Sequence, residues 1–428
     1  MNLKQKKLNW AGILVVAACF CMGFVCLGFC SGNKSMYLSA ITEALHIPRS
    51  LFALSESSRY VASALVNLFF GALIYKFGVR VMTAVGFVFT IASMLLHAWA
   101  NDVITFCIGG ACMGIGLAFT TTSMTGSIVR RWFTKDIGKY TGLVFAANGV
   151  GGALSAQIVS PMINKVGDPF GYRDAYLFVA ACVAVTGVIV VLLMRNAPKG
   201  GMETQPKASK KKRGVAWYGI DFATAIKKPY FYVAAVGVMF TGICLQGING
   251  VYVAHLKDIG MKPEFTATVA SAFALLLTLT KIVVGWMYDR FGLKAVMLVC
   301  PISAILAYVI LMTILPTPVG MALAFVFCVL YAIAIPLETL VIPLIVNDLF
   351  GSLAYDKMLG IFSAVNYAGY ALGAPLVNLS YDALGSYQTA LIICAVLMLL
   401  ICVSFRYVLR AVKKVQEQVA LQLEQSAK

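Results

Sequence analysis

Gly71-Ala72-Leu73-Ile74-Tyr75-Lys76-Phe77-Gly78-Val79-Arg80 recurs 214 residues later as Gly285-Trp286-Met287-Tyr288-Asp289-Arg290-Phe291-Gly292-Leu293-Lys294. Each copy holds Gly-x-x-x-x-x-Phe-Gly, ends on a cation and fills a short polar break between two long apolar runs. A loop repeated at matching places in two halves implies that the flanking elements repeat as well. Internal duplication of this kind characterises secondary transporters, whose solute site lies between the repeats near the bilayer midplane.

Outward from these two loops, apolar runs of spanning length fall at about 10–32, 50–75, 79–99, 102–129, 138–164, 174–195, 230–257, 264–288, 294–315, 319–347, 356–383 and 387–410. Each is continuous rather than alternating, and a helix satisfies its own backbone in lipid, so helices are expected and barrel strands are not. The expected fold is an all-α membrane protein of twelve transmembrane helices in two pseudo-symmetric six-helix bundles. Residues 1–195 form the first bundle, 196–228 a cytoplasmic linker, 229–410 the second bundle and 411–428 a cytoplasmic tail.

Composition agrees. The chain is 61% hydrophobic and 12% charged, against roughly 45–50% and about 25% in soluble domains, and lipid is the place for the excess apolar surface. The net charge of +17 raises the question of nucleic acid, which the placement of the cations answers. On the span assignment, 26 of the 34 Lys and Arg fall on one side, among them Lys4, Lys6, Lys7, Arg130, Arg131, Lys135, Lys139, Lys210, Lys211, Lys212 and Arg213. Such a bias puts both termini in the cytoplasm of a multi-pass cell-membrane protein, the inner membrane in a bacterium, with the linker cations beside anionic lipid headgroups. A soluble basic face, which a nucleic-acid partner requires, is missing.

Several features have bland readings. All 12 cysteines lie in apolar runs and read as small hydrophobes. Val16-Ala17-Ala18-Cys19 resembles a lipoprotein cleavage site, but its apolar run continues to Cys30, so an uncleaved first helix is expected. Gly109-Gly110, Gly114, Gly116, Gly149, Gly151 and Gly152 sit inside spans without the Lys-Ser/Thr of a phosphate loop and suit close helix packing. Neither a catalytic constellation nor metal-ligand spacing is evident, so no enzyme activity, cofactor or metal is expected.

The repeated decapeptide resembles the loop motif of the major facilitator superfamily, Gly-x-x-x-Asp-Arg-x-Gly-x-Arg/Lys, found after the second and eighth spans. The second copy, Gly285, Asp289, Arg290, Gly292 and Lys294, matches throughout. The first keeps Gly71, Gly78 and Arg80 but has Tyr75 and Lys76 where the family has Asp-Arg. The resemblance implies a gating role at the cytoplasmic ends, carried by Asp289 and Arg290. Within the superfamily the chain is similar to the monocarboxylate and oxalate/formate porters. Trp132-Phe133-Thr134-Lys135 with Gly142-Leu143, Ala146 and Gly149 resembles that group's fifth-span signature. Lys34 resembles its first-span lysine, and Lys281 stands where the group places an arginine that binds carboxylate.

Lys281 is also informative in itself, about 10 Å from the end of an otherwise apolar span. A cation at such depth costs about 2.5–3.5 kcal/mol and persists where it faces a cavity or partner, or where it snorkels to the headgroups. Asn67 is its repeat mate, 214 residues earlier. Glu338, between Pro336 and Pro343, is expected at similar depth, either as a structural acid at a proline-broken helix or as a proton-coupling group. In the second case a protonated Glu338 frees the Lys281 ammonium for a carboxylate. Lys34 and Arg59 lie toward the outer ends of their spans, collecting anions or anchoring at the interface. His46 and His255 read as loop histidines. Tyr331, Asn366, Tyr367, Tyr370, Asn148 and Gln157 either line a cavity or tie helices together.

One deep cation suits one carboxylate. The expected function is alternating-access transport of a small monocarboxylate such as lactate, pyruvate or formate, with protons or by exchange. The partners are then an organic-anion substrate, protons and membrane lipid. The alternatives are a carrier of a neutral or drug-like solute with Lys281 structural, or a membrane sensor on a transporter scaffold.

Overall fold

Lipid offers a peptide group no hydrogen-bond partner, so each apolar run closes its backbone bonds internally. In the computed structural model, which describes residues 3–121, 124–125, 128, 132, 137–165, 167–194, 220, 222–351 and 355–426, no strand occurs among the described residues. Most of the linker, with its cation cluster, lies outside them, as do Arg130, Arg131, Phe133 and Lys135.

The helices make twelve passages. The first is α1 (Leu3–Met22), a π-helical turn Gly23–Phe29 and α2 (Lys34–Leu45), so it runs well past the expected end near residue 32. The second and third are the two arms of α3 (Arg49–Trp99), separated by non-helical Gly78. Then come α4 (Val103–Thr120), α5 (Ile137–Ile163) and α6 (Gly171–Leu193). The seventh passage is α7 (Pro229–Asn249) with α8 (Tyr252–Asp258), followed by α9 (Pro263–Phe291) and α10 (Leu293–Thr313). The tenth is broken into α11 (Pro318–Ala334), α12 (Pro336–Thr339) and α13 (Val341–Phe350); α14 (Tyr355–Leu384) and α15 (Gln388–Ser426) complete the set.

Local chemistry sets the ends. Asp102 caps α4 by accepting from the Thr105 N–H at 2.9 Å, and Thr317 caps α11 at the Gly320 N–H, with Pro318 pre-setting the first turn. Ten stretches are apolar enough to cross a membrane by length and composition alone. The first arm of α3 and α14 are the passages that fall short, because they carry Glu56, Arg59, Asn366 and several Ser, Tyr and Asn.

By packing, the chain forms two compact units. The first comprises Met1–Lys207, Asn249–Thr278 and Tyr381–Gly385; the second comprises Ala208–Ile248, Leu279–Ser380 and Ser386–Lys428. In the first unit α4 lies so close to the α3 arm that a Cβ on Gly110 would meet the Ser55 carbonyl at 2.0 Å, and one on Gly114 the Arg59 carbonyl at 2.2 Å. Gly28 and Gly151 make a similar crossing, a Cβ on the former meeting the latter's backbone at 2.5 Å. These glycines therefore do the packing work expected of them. The same unit holds buried Arg49, whose guanidinium grips Asp258 with bonds of 2.5 and 2.8 Å and stacks 3.9 Å above the Tyr381 ring. Asp382 accepts from the backbone N–H groups of Arg49 and Ser50 at 2.9 and 2.8 Å, capping α3. In the second unit Gly369 and Gly373 of α14 would meet Met239 and Ile243 carbonyls of α7 at 2.3 and 2.7 Å.

Candidate functional site

The second unit builds its polar centre at the broken tenth passage. Pro336 has no N–H, which leaves the Ala332 carbonyl without its helical donor; Thr280 of α9 supplies one instead, at 2.6 Å. The next carbonyls reach sideways as well. The Glu338 main-chain oxygen accepts from Asn366 Nδ2 at 3.1 Å and from the Tyr370 hydroxyl at 3.0 Å. Three of the sequence candidates thus meet around one short helix, with Glu338 itself buried. Tyr367 packs edge-on to Tyr370 at 5.7 Å. Tyr331 donates to the Leu245 carbonyl and is fully buried, which makes it a helix tie.

Lys281 follows Thr280 on α9 and is half-buried, within electrostatic reach of Glu338. Leu275, Leu279, Ile282 and Trp286 form the exposed apolar strip of α9, and at 3.6 residues per turn Lys281 falls on the other side of the helix. Lys281 thus lies off the exposed strip of α9.

The first unit holds a second charged cluster. Lys34, opening α2, bonds Glu56 at 2.8 Å. Arg59, three residues beyond Glu56 on the α3 arm, bonds the same carboxylate oxygen at 2.8 Å. The Arg59 guanidinium also donates to the Ser31 hydroxyl at 2.8 Å and the Tyr60 hydroxyl at 2.5 Å. The Lys34 and Arg59 side chains are 12% and 6% exposed, against 21% for Glu56, so the acid is the most accessible member. Lys34 and Arg59 are both held by an acid that the hydropathy reading passed over. The i,i+3 spacing of Glu56 and Arg59 within an apolar run was the signal available. Asn67 does not join this cluster; its Nδ2 donates to the Ser63 carbonyl of its own helix at 2.8 Å. Gln157 bonds Ser271 at 3.0 Å. His255 is buried rather than exposed in a loop, and His46 ends α2 in the left-handed conformation with φ 53°.

The two loop motifs share a backbone feature. Gly78 has φ 81° and ψ 161°, and Gly292 has φ 76° and ψ 178°. Gly71 lies within α3 and Gly285 within α9. Arg80, Asp289 and Arg290 are exposed, and Tyr75, in the place of the acid, is 91% exposed. The Arg290 guanidinium lies 5.6 Å from the Trp286 ring. Tyr288 donates to Asp348 at 2.7 Å, which ties the motif-bearing end of α9 to α13. Among the described residues no group of three or more His, Cys, Asp or Glu could hold a metal ion.

Comparison with known proteins extends these observations. The MFS-type transporter YcxA of Bacillus subtilis (strain 168) is 25% identical over 61% of this chain and 62% of its own length, so the match spans less than two thirds of that relative. Monocarboxylate transporter 13 of Bos taurus is 25% identical over 77% of this chain and 73% of its own. The sialic acid transporter NanX of Escherichia coli (strain K12) is 23% identical over 64% of each. Among solved structures, the nucleoside transporter NupG superposes with a TM-score of 0.73 at 14% identity, covering 93% of this chain and 98% of that one. A bacterial homologue of the human lysosomal transporter Spinster does so with 0.73 at 12% identity, covering 95% and 98%. Both show the fold. The model of the Major Facilitator Superfamily matches residues 19–335 and again 234–425, and with twelve helical passages and a loop motif repeated in sequence and in backbone conformation, the chain belongs to that superfamily of membrane transporters.

Proposed function

We propose that the protein carries a small monocarboxylate across the cell membrane by alternating access, in symport with a proton or in exchange for another anion, with both termini cytoplasmic. The observation that carries this reading is Lys281, a half-buried cation in an apolar helix, within electrostatic reach of Glu338. A lone ammonium at that depth is a natural counter-charge for one carboxylate, and it lacks the planar fork that would fix the orientation of the acid. Glu338 balances the charge when the site is empty; its protonation leaves the ammonium to the solute, so proton and anion move together. Relatives named for monocarboxylates and for sialic acid transport acids that are anionic at neutral pH, which supports the same chemistry. Asp289 and Arg290 serve as the cytoplasmic gate, with Gly71, Gly78, Arg80, Gly285 and Gly292 shaping its loops.

The test is counterflow of a panel of labelled acids into proteoliposomes, with and without an imposed pH gradient. Saturable exchange of small monocarboxylates is expected. Lys281→Gln should abolish it, and Glu338→Gln should retain exchange while losing accumulation driven by the gradient. Exchange confined to uncharged solutes, or undiminished in Lys281→Gln, overturns the assignment; unchanged coupling in Glu338→Gln removes that residue from the mechanism.

A further inference from the structure

Away from its polar centre, the second unit has a concavity where α7 and α15, the seventh and twelfth passages, run antiparallel. Tyr232, Val236 and Phe240 of α7 and Leu397, Leu400 and Ser404 of α15 line a groove of about 340 Å³, within the range of roughly 300–1,000 Å³ that holds small ligands. Apart from the Ser404 and Tyr232 hydroxyls its lining is apolar. The two helices touch at Gly237, where an added Cβ would meet the Phe405 ring at 2.8 Å.

That contact sets the register of what lies beyond the groove. Nine residues back from Gly237 and nine forward from Phe405 lead in the same direction, to Lys228 and Lys414, each about 13 Å along its helix. Lys228, Tyr232 and Val236 follow one another at four-residue steps, and Leu400, Tyr407 and Lys414 at seven, so both rows stay on the groove's side. Arg410 lies one turn from Tyr407 and one from Lys414. The order from the groove outward is therefore aliphatic side chains, then Tyr232 and Tyr407, both more than half exposed, then exposed Lys228, Arg410 and Lys414. Both cation-bearing ends are held in place. Gln416 of α15 donates to the Asp348 carbonyl at 3.2 Å, and Phe231 of α7 packs 5.8 Å from Phe350. Lys413 pairs with Glu417 at 3.7 Å, whereas among the described residues no carboxylate stands at ion-pair distance from Lys228, Arg410 or Lys414.

We infer that this groove is a binding site for one anionic phospholipid, with an acyl chain between α7 and α15 and the phosphate held by Lys228, Arg410 and Lys414. A convex helix face meets whichever lipid diffuses past it. A groove that ends in three converging cations selects, because a phosphate between them offsets their mutual repulsion while the chain fills a space that the side chains leave open. Tyr232 and Tyr407 stand where the chain gives way to the headgroup, the depth at which amphipathic rings settle in a bilayer. A free phosphate has no use for the apolar half of the site, which is why a lipid is the occupant. The inference is independent of the solute carried, since the groove is built apart from Lys281 and Glu338.

Native mass spectrometry of the purified full-length protein, titrated with phosphatidylglycerol and phosphatidylcholine in competition, tests it. One phosphatidylglycerol should be retained about tenfold or more over phosphatidylcholine, given roughly fivefold for each Lys or Arg beside an anionic headgroup. Replacing Lys228, Arg410 and Lys414 together by Gln should abolish that preference, while the same change at Lys210, Lys211 and Lys212 of the linker should leave it intact. Ser404→Phe, which fills the groove and keeps every cation, should lower the retention of phosphatidylglycerol, and glycerol phosphate, a headgroup without chains, should not displace it. Equal retention of the two lipids overturns the site, as does a preference that survives the Lys228, Arg410 and Lys414 change or is lost equally with the linker lysines. Displacement by glycerol phosphate, or undiminished retention in Ser404→Phe, overturns the acyl groove and leaves a bare phosphate contact.

Discussion

At the scale of single residues, Gly78 and Gly292 explain why the loop motif tolerates so much change elsewhere. Both adopt φ near +80° with ψ near 180°, a region essentially closed to residues with a Cβ. The space around each is open, with no heavy atom within 4 Å of a built Cβ. The constraint is thus on the backbone, and an added methyl would strain rather than clash. Gly78→Ala and Gly292→Ala should each lower stability by about 1–3 kcal/mol, read as a fall in the thermal midpoint of the purified protein; equal midpoints would show that the turn relaxes. The repeat was visible in the letters because both positions are glycine. Its cause, a shared dihedral, was not, since a glycine in sequence carries no record of its φ. Lys281 and Glu338 stood out for a related reason: a charge in an apolar run is conspicuous. Glu56 did not, because Ser55, Ser57, Ser58 and Arg59 surround it and the stretch reads as the polar start of a span.

At the scale of helices, the spans were legible from length and hydropathy, while their interruptions were not. The π-helical turn at Gly23–Phe29 and the breaks around Pro336 depend on which carbonyls find other donors, as when Thr280 serves Ala332. Nor could hydropathy tell that the first passage resumes as α2 and runs to Leu45, because the chain is polar where that helix begins, at Asn33 and Lys34. The two least apolar passages, the first arm of α3 and α14, are the ones that carry Glu56, Arg59, Asn366 and Tyr370. Polarity that weakens a span as a membrane segment marks it as lining a site. Packing then fixes where those side chains stand. A Cβ at Gly110 would approach the Ser55 carbonyl to 2.0 Å, one residue from Glu56. Gly110→Val should push the α3 arm away from α4, costing about 1–3 kcal/mol and lowering the thermal midpoint. A wild-type midpoint would mean that the crossing is loose enough to take the larger side chain.

At the scale of the molecule, twelve passages and a superfamily follow from the sequence, whereas the division by packing does not follow chain order. Residues Asn249–Thr278 and Tyr381–Gly385 pack with the first unit, and Arg49 is the residue that gathers them. Its acids, Asp258 and Asp382, stand 209 and 333 residues away, a separation that no local pattern announces. Arg49→Met would leave Asp258 without the guanidinium while Asp382 keeps its backbone donors, and should cost about 3 kcal/mol, the lower end for a broken buried pair because Asp258 is 18% exposed. The readout is again thermal unfolding, with Asp258→Asn in the Arg49→Met background recovering part of the loss; no recovery would assign the cost to packing on Tyr381. The wide spacing of this cluster also sets a schedule for biogenesis. A ribosome adding roughly 5–20 residues per second delivers Asp258 roughly 10–42 seconds after Arg49, so the bidentate acid of this guanidinium arrives only once the seventh passage has been threaded.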